Sequence, residues 1–110
     1  MLSTAIALFA IAILVGIILL TLFLMDGKTP HTLARIHGVI GILALLLVII
    51  SVALYGSIPQ IAGMSIIIIA ALLGVRLFIL GRRNQPFPKW LPAVHALTAA
   101  VGFFLLLISL

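Results

Sequence analysis

The chain has 110 residues, 66% of them apolar and 6% charged, with a mean hydropathy of +1.59. Soluble domains are roughly 45–50% apolar and about 25% charged, and six Lys/Arg with one Asp/Glu cannot cover a water-facing surface, so the composition is that of an integral membrane protein. There is no Cys and Asp26 is the only carboxylate side chain, which excludes disulfides, thiolate chemistry, paired-carboxylate catalysis and most hard-cation sites.

A helix crossing a bilayer core needs about 20 mostly apolar residues. Four runs qualify, predicting an all-α membrane protein: a four-transmembrane-helix bundle in one domain, 1–110. The first helix is predicted over 2–25. Its position is that of a secretory signal, but it has no basic n-region, a long apolar stretch and no clear cleavage site, so it reads as a retained helix. The turn Asp26-Gly27-Lys28-Thr29-Pro30 leads to a second helix over 32–55. Gly56-Ser57-Ile58-Pro59 leads to a third over 60–80. The stretch from Gly81 to Trp90, with Pro86 and Pro88, precedes a fourth over 91–110. The runs do not alternate in polarity as spanning β-strands do.

Charge predicts the orientation. Lys28 and Arg35 flank the first loop, Arg82, Arg83 and Lys89 lie in the third, and Arg76 sits just before it. The middle loop and both terminal segments carry no Lys or Arg side chain. The positive-inside rule then places the basic loops in the cytoplasm and both termini outside, periplasmic in a bacterial inner membrane. Phe87 and Trp90 fall at the inner interface and Tyr55 near the outer one. The +5 net charge is thus a topology signal and not a nucleic-acid surface, which would need a soluble face.

A shift of 58 positions superimposes the first hairpin, within 1–58, on the second, 59–110. Ala12 meets Ala70, Gly16 meets Gly74, Pro30 meets Pro88, Leu33 meets Leu91, His37 meets His95 and Ser51 meets Ser109. The pattern predicts two tandem hairpins related by an axis along the membrane normal. Ala12-x-x-x-Gly16 and Ala70-x-x-x-Gly74 are small-xxx-small motifs, read either as helix-packing surfaces or as a smooth wall for a flat cofactor.

His37 and His95 start at equal depth, each seven residues beyond the paired prolines, roughly 10 Å along a helix. Polar side chains there are expensive and face the bundle interior or a functional site. Gly41, Ala44 and Ser51 share the face of His37, and Ala99, Gly102 and Ser109 that of His95. One imidazole with small residues beside it suits a planar macrocycle held edge-on between two helices; the small residues also allow helices 2 and 4 to close together beyond it. Two imidazoles fill both axial positions of haem iron, which makes an electron carrier and leaves no open position. Arg35, Arg76, Arg82, Arg83 and Lys89 lie on the side where propionates would need cations, with Arg35 and Arg76 the nearest candidates. Snorkelling to the headgroups is the competing role of Arg76. His31, six residues before His37, cannot share its helix face and is expected at the exposed interface.

These residues resemble the transmembrane b-type cytochromes, in particular the di-haem family typified by ascorbate-dependent reductases, whose four-helix core holds haem between histidines on alternate helices. The resemblance implies one haem b per chain, ligated by His37 and His95 and flanked by Gly41, Ala44, Ala99 and Gly102, and a redox partner or quinone in the bilayer. The second intramembrane histidine pair and the additional helices of that family have no counterpart here. No catalytic residue is implied. Assembly as a homodimer or within a larger membrane complex is open. The alternative is a cofactor-free anchor or structural subunit, or a small transporter, with the histidine pair structural or holding a bare metal ion. Small multidrug transporters are similar in length and helix number, but their first helix carries a glutamate and this one carries no ionisable side chain before Asp26.

Overall fold

The computed structural model describes residues 1–110, Asp26 by its backbone alone. It contains four helices, α1 (Leu2–Asp26), α2 (His31–Tyr55), α3 (Ile58–Arg82) and α4 (Trp90–Ile108). All four are long and apolar enough to cross a membrane, and the bundle is 42 Å long, which matches about 40–45 Å of bilayer with its headgroups.

Helix ends follow local chemistry. Gly27 closes α1 in the left-handed region (φ 70°), where its N–H reaches the Phe23 carbonyl at 2.6 Å; a side chain at that φ would be strained. Pro30 precedes α2 in an extended conformation and its carbonyl accepts from Ala34 N–H at 3.0 Å. The expected loop Gly56-Ser57-Ile58-Pro59 is shorter than its residues suggested. Ile58 and Pro59 belong to α3, because proline is tolerated in a first turn whose N–H groups have no helical partner. Gln60 Oε1 accepts from the Ser57 N–H at 3.4 Å, which anchors that early start. At its other end α3 runs on through Arg82, and α4 stops at Ile108, where Ser109 Oγ donates to the Leu106 carbonyl.

Consecutive helices are neighbours, and α4 returns beside α1 to close the ring. Within each hairpin the helices pack closely. Across the ring, no Cα of α1 comes within 8 Å of one in α3, nor one of α2 within 8 Å of α4. The surface inverts the soluble pattern: Leu14, Leu24, Leu72, Leu97 and Phe104 are exposed, while Ala5, Ala12, Ala44 and Ala70 are buried. Lipid tails are as apolar as leucine, so large side chains gain nothing by moving inward, whereas small ones let backbones approach. Thr21, Ser65 and Thr98 return their hydroxyls to carbonyls four residues back, the arrangement that satisfies polar atoms where no water reaches. This is an integral membrane protein.

The main buried cluster lies in one half of the bundle. Ala5, Ile6, Phe9, Ala44, Val48, Ile67 and Leu106 form one buried cluster, all from the half that holds the chain termini. Here Gly63 and Gly102 bring α3 and α4 together: a Cβ on Gly102 would stand 2.7 Å from Ile67 Cγ1, and one on Gly63 3.0 Å from Leu106 Cδ2. The burial repeats with the 58-residue shift, since Ala5 and Gly63, Phe9 and Ile67, Ala12 and Ala70, Ala44 and Gly102, and Val48 and Leu106 are buried pair by pair. At the opposite end Phe87 of the third loop stacks on Phe23 of α1, centroids 4.8 Å apart, so the first and third loops share one end of the bundle.

Candidate functional site: a histidine pair in two matched cradles

His37 lies on the second turn of α2 and His95 on the second turn of α4. Each bonds within its own hairpin. His37 Nδ1 is 2.8 Å from the carbonyl oxygen of Ala12, and His95 Nδ1 is 2.8 Å from that of Ala70. A carbonyl oxygen can only accept, so each Nδ1 carries the hydrogen and each neutral ring keeps its lone pair on Nε2.

One turn beyond each carbonyl stands a glycine. A Cβ on Gly16 would meet His37 Cε1 at 2.9 Å, and one on Gly74 would meet His95 Cε1 at 3.0 Å. Only glycine leaves room for the ring edge to reach the carbonyl. The two small-xxx-small motifs are therefore histidine cradles: the alanine supplies the acceptor and the glycine supplies the space. The smooth wall expected for a flat cofactor is taken up by imidazole.

The two cradled rings come together across the bundle diagonal, with centroids 6.0 Å apart and planes at 86°. Their only hydrogen bonds run through Nδ1, and no buried polar side-chain atom lacks a partner among the described residues. Each Nε2 therefore opens onto accessible space. In the neutral rings these two nitrogens are acceptors without a hydrogen-bond partner among the described residues, on rings whose centroids are 6.0 Å apart. No group of three or more His, Cys, Asp or Glu that could hold a metal exists among the described residues. A bare zinc ion takes four ligands in a structural site and would find two here.

The other residues expected at the site divide. Ala44 is fully buried and Gly102 is buried against Gly63 and Ile67, so both belong to the packed half of the bundle. Gly102 closes α4 on α3; the expected approach of α2 to α4 does not occur, because those helices lie diagonally. Gly41 and Ala99 are half-buried, and a Cβ on Gly41 would meet nothing within 4 Å. Arg35 and Arg76 are exposed, as is His31, which is remote from the pair in the first turn of α2. Ala12, Gly16, Ala70 and Gly74 had not been joined to the histidines by sequence reasoning. The signal was present, since all three positions of each cradle match under one shift of 58. No protein-family model, curated protein or solved structure matches the chain.

Proposed function

We propose that the chain is a membrane-embedded b-type haem protein that passes single electrons within the bilayer, with His37 and His95 as the axial ligands of one haem b. The observation that carries this is the pair of imidazoles held as Nδ1–H tautomers at a centroid spacing of 6.0 Å. That spacing is close enough for the two imidazoles to hold one group between them, and imidazole is an established haem ligand. Donation of the far ring N–H to a backbone carbonyl is what orients a ligating histidine and raises its basicity. A macrocycle supplies the four remaining donors that the protein lacks, which favours haem over a bare ion.

The residues suit this role. The largest fully buried side chains, Val48 and Leu106, lie in the other half of the bundle, and small residues, Ala12 and Ala70, are the buried ones beside the rings. Gly41 and Ala99 leave the flanks of α2 and α4 low beside each ring. When bound and held by His37 and His95, haem would supply a one-electron couple. The chain fixes the ring tautomers through Ala12 and Ala70 and carries Arg35 and Arg76 on the side where propionates would lie. A redox partner or membrane quinone would exchange the electron, and a homodimer or larger complex would be its setting. The same reading puts the basic loops in the cytoplasm and the termini in the periplasm of a bacterial inner membrane.

Absorbance tests it. Protein made in haem-replete cells should carry a Soret band and sharp reduced α and β bands. A colourless protein that stays colourless with added hemin refutes the proposal. A stoichiometric Zn or Cu signal in that colourless protein would mark the pair as a simple metal site instead.

A further inference from the structure

The C-terminal end of α3 carries a feature with no part in the histidine site. A groove of about 390 Å³ is lined by Phe78, Ile79, Arg82 and Arg83. We infer that this groove binds the headgroup of an anionic phospholipid, its phosphodiester held by Arg82 and Arg83 and its first methylenes laid on Phe78 and Ile79.

Arginines at a helix end usually have another task, which is to satisfy the last carbonyls. Here the backbone does that. Arg83 N–H reaches the Ile79 carbonyl at 3.1 Å, Gln85 N–H that of Leu80 at 3.0 Å, and Asn84 N–H that of Gly81 at 3.1 Å, with Asn84 in the left-handed region at φ 51°. Among the described residues no side-chain hydrogen bond engages either guanidinium, which offers both to an outside ligand. Arg82 is also held in place, with its guanidinium carbon 5.9 Å from the centroid of the Phe78 ring, one helical turn back. A helix C-terminus carries about half a negative charge, which repels an anion; two full positive charges outweigh it.

Size and setting choose the occupant. A water's share of liquid volume is about 30 Å³, so the groove's 390 Å³ equals about thirteen waters, room for a phosphodiester and the first methylenes beside it. It lies at the end of a membrane-spanning helix, where headgroup phosphates are concentrated, and planar guanidinium forks match phosphate oxygens. The repeat supplies an internal control: Leu20, Leu24 and Met25 stand in α1 at the positions equivalent to Phe78, Arg82 and Arg83. The arginine pair belongs to the second hairpin alone, so it is not a requirement of the hairpin fold.

The full chain, purified in detergent, is mixed in turn with phosphatidylglycerol, phosphatidylcholine and inorganic phosphate, and retained molecules are counted by native mass spectrometry. One phosphatidylglycerol should be kept in preference to phosphatidylcholine. Arg82→Gln and Arg83→Gln should each lower its retention about fivefold, the weight of one basic residue near an anionic surface. Arg82→Lys should fall between wild type and Arg82→Gln, and Lys28→Gln, in the first loop, should change nothing. Unaltered retention in the Arg82→Gln/Arg83→Gln double variant overturns the inference. Equal retention of phosphatidylcholine does so too, and inorganic phosphate displacing the lipid would reassign the groove to a soluble anion. None of these outcomes depends on haem, because the groove and the histidine pair share no residue.

Discussion

Gly16→Ala and Gly74→Ala test the cradles with one methyl group each. The added carbon would stand 2.9 Å from His37 Cε1 in the first case and 3.0 Å from His95 Cε1 in the second. Carbon atoms pack at about 3.5–4.0 Å, so each ring must retreat by roughly 0.5–1 Å. A retreat of that size stretches the 2.8 Å bond to the Ala12 or Ala70 carbonyl past about 3.2 Å, where a hydrogen bond is largely lost. A stranded ring N–H costs about 1–3 kcal/mol, and a ring pushed off its rotamer about 0.5–1.5 kcal/mol. Removing a helix glycine returns about 1 kcal/mol. The loss wins by about 0.5–3.5 kcal/mol, which is roughly twofold to three-hundredfold in hemin affinity where a ligand must hold its orientation. Hemin titration followed at the Soret band measures this, and thermal unfolding in detergent measures the same strain without haem. Gly38→Ala and Gly81→Ala are the controls, since their Cβ atoms would meet nothing within 4 Å. If Gly16→Ala and Gly74→Ala bind hemin and melt as the controls do, the cradles do not position the rings.

Replacing His37 or His95 by Ala should leave a high-spin or haem-free protein, whereas His31→Ala, at the exposed start of α2, should keep the wild-type spectrum; ferric spectra and electron paramagnetic resonance distinguish them, and a low-spin signal persisting in both site variants would remove the ligand assignment. In the packed half, Gly102→Ala places a carbon 2.7 Å from Ile67 Cγ1 and should destabilise the bundle by about 1–3 kcal/mol; a melting temperature at or above wild type would contradict the close α3–α4 approach. Ser57→Cys should react with a membrane-impermeant thiol reagent added outside intact cells and Gln85→Cys should not, the reverse pattern inverting the proposed orientation.

Most of the fold is legible in the residues because lipid leaves few options. A run such as 91–110 has to close its backbone hydrogen bonds within itself, and in a bilayer that means helix. The boundaries missed at Ile58 and Pro59 turn on a choice composition cannot make, since proline marks both a loop and a first helical turn. The histidine pair was legible as well, from equal depth and equal register. What was hidden is which face of α2 and α4 meets which neighbour. Stripes such as Gly41, Ala44 and Ser51 fix a side of one helix but do not name the helix opposite, and the hydrophobic contrast that would settle this in water is absent in lipid. Ala44 and Gly102, read from those stripes, are buried in the half of the bundle that holds the termini.

The division between a packed half and a histidine half explains why both kinds of small residue are needed. Near the termini, Gly63 and Gly102 serve a backbone contact, so any side chain there collides with Ile67 or Leu106. Seven to eleven residues farther along α3, Ala70 and Gly74 serve a side-chain contact with His95 of the same hairpin. Each hairpin thus carries one complete cradle before it meets the other. Docking of the hairpins, through seams less closely packed than those inside each one, brings the second imidazole beside the first. Under the proposed haem reading, the two imidazoles are oriented by contacts within each hairpin, so binding would not have to supply the ordering of the rings.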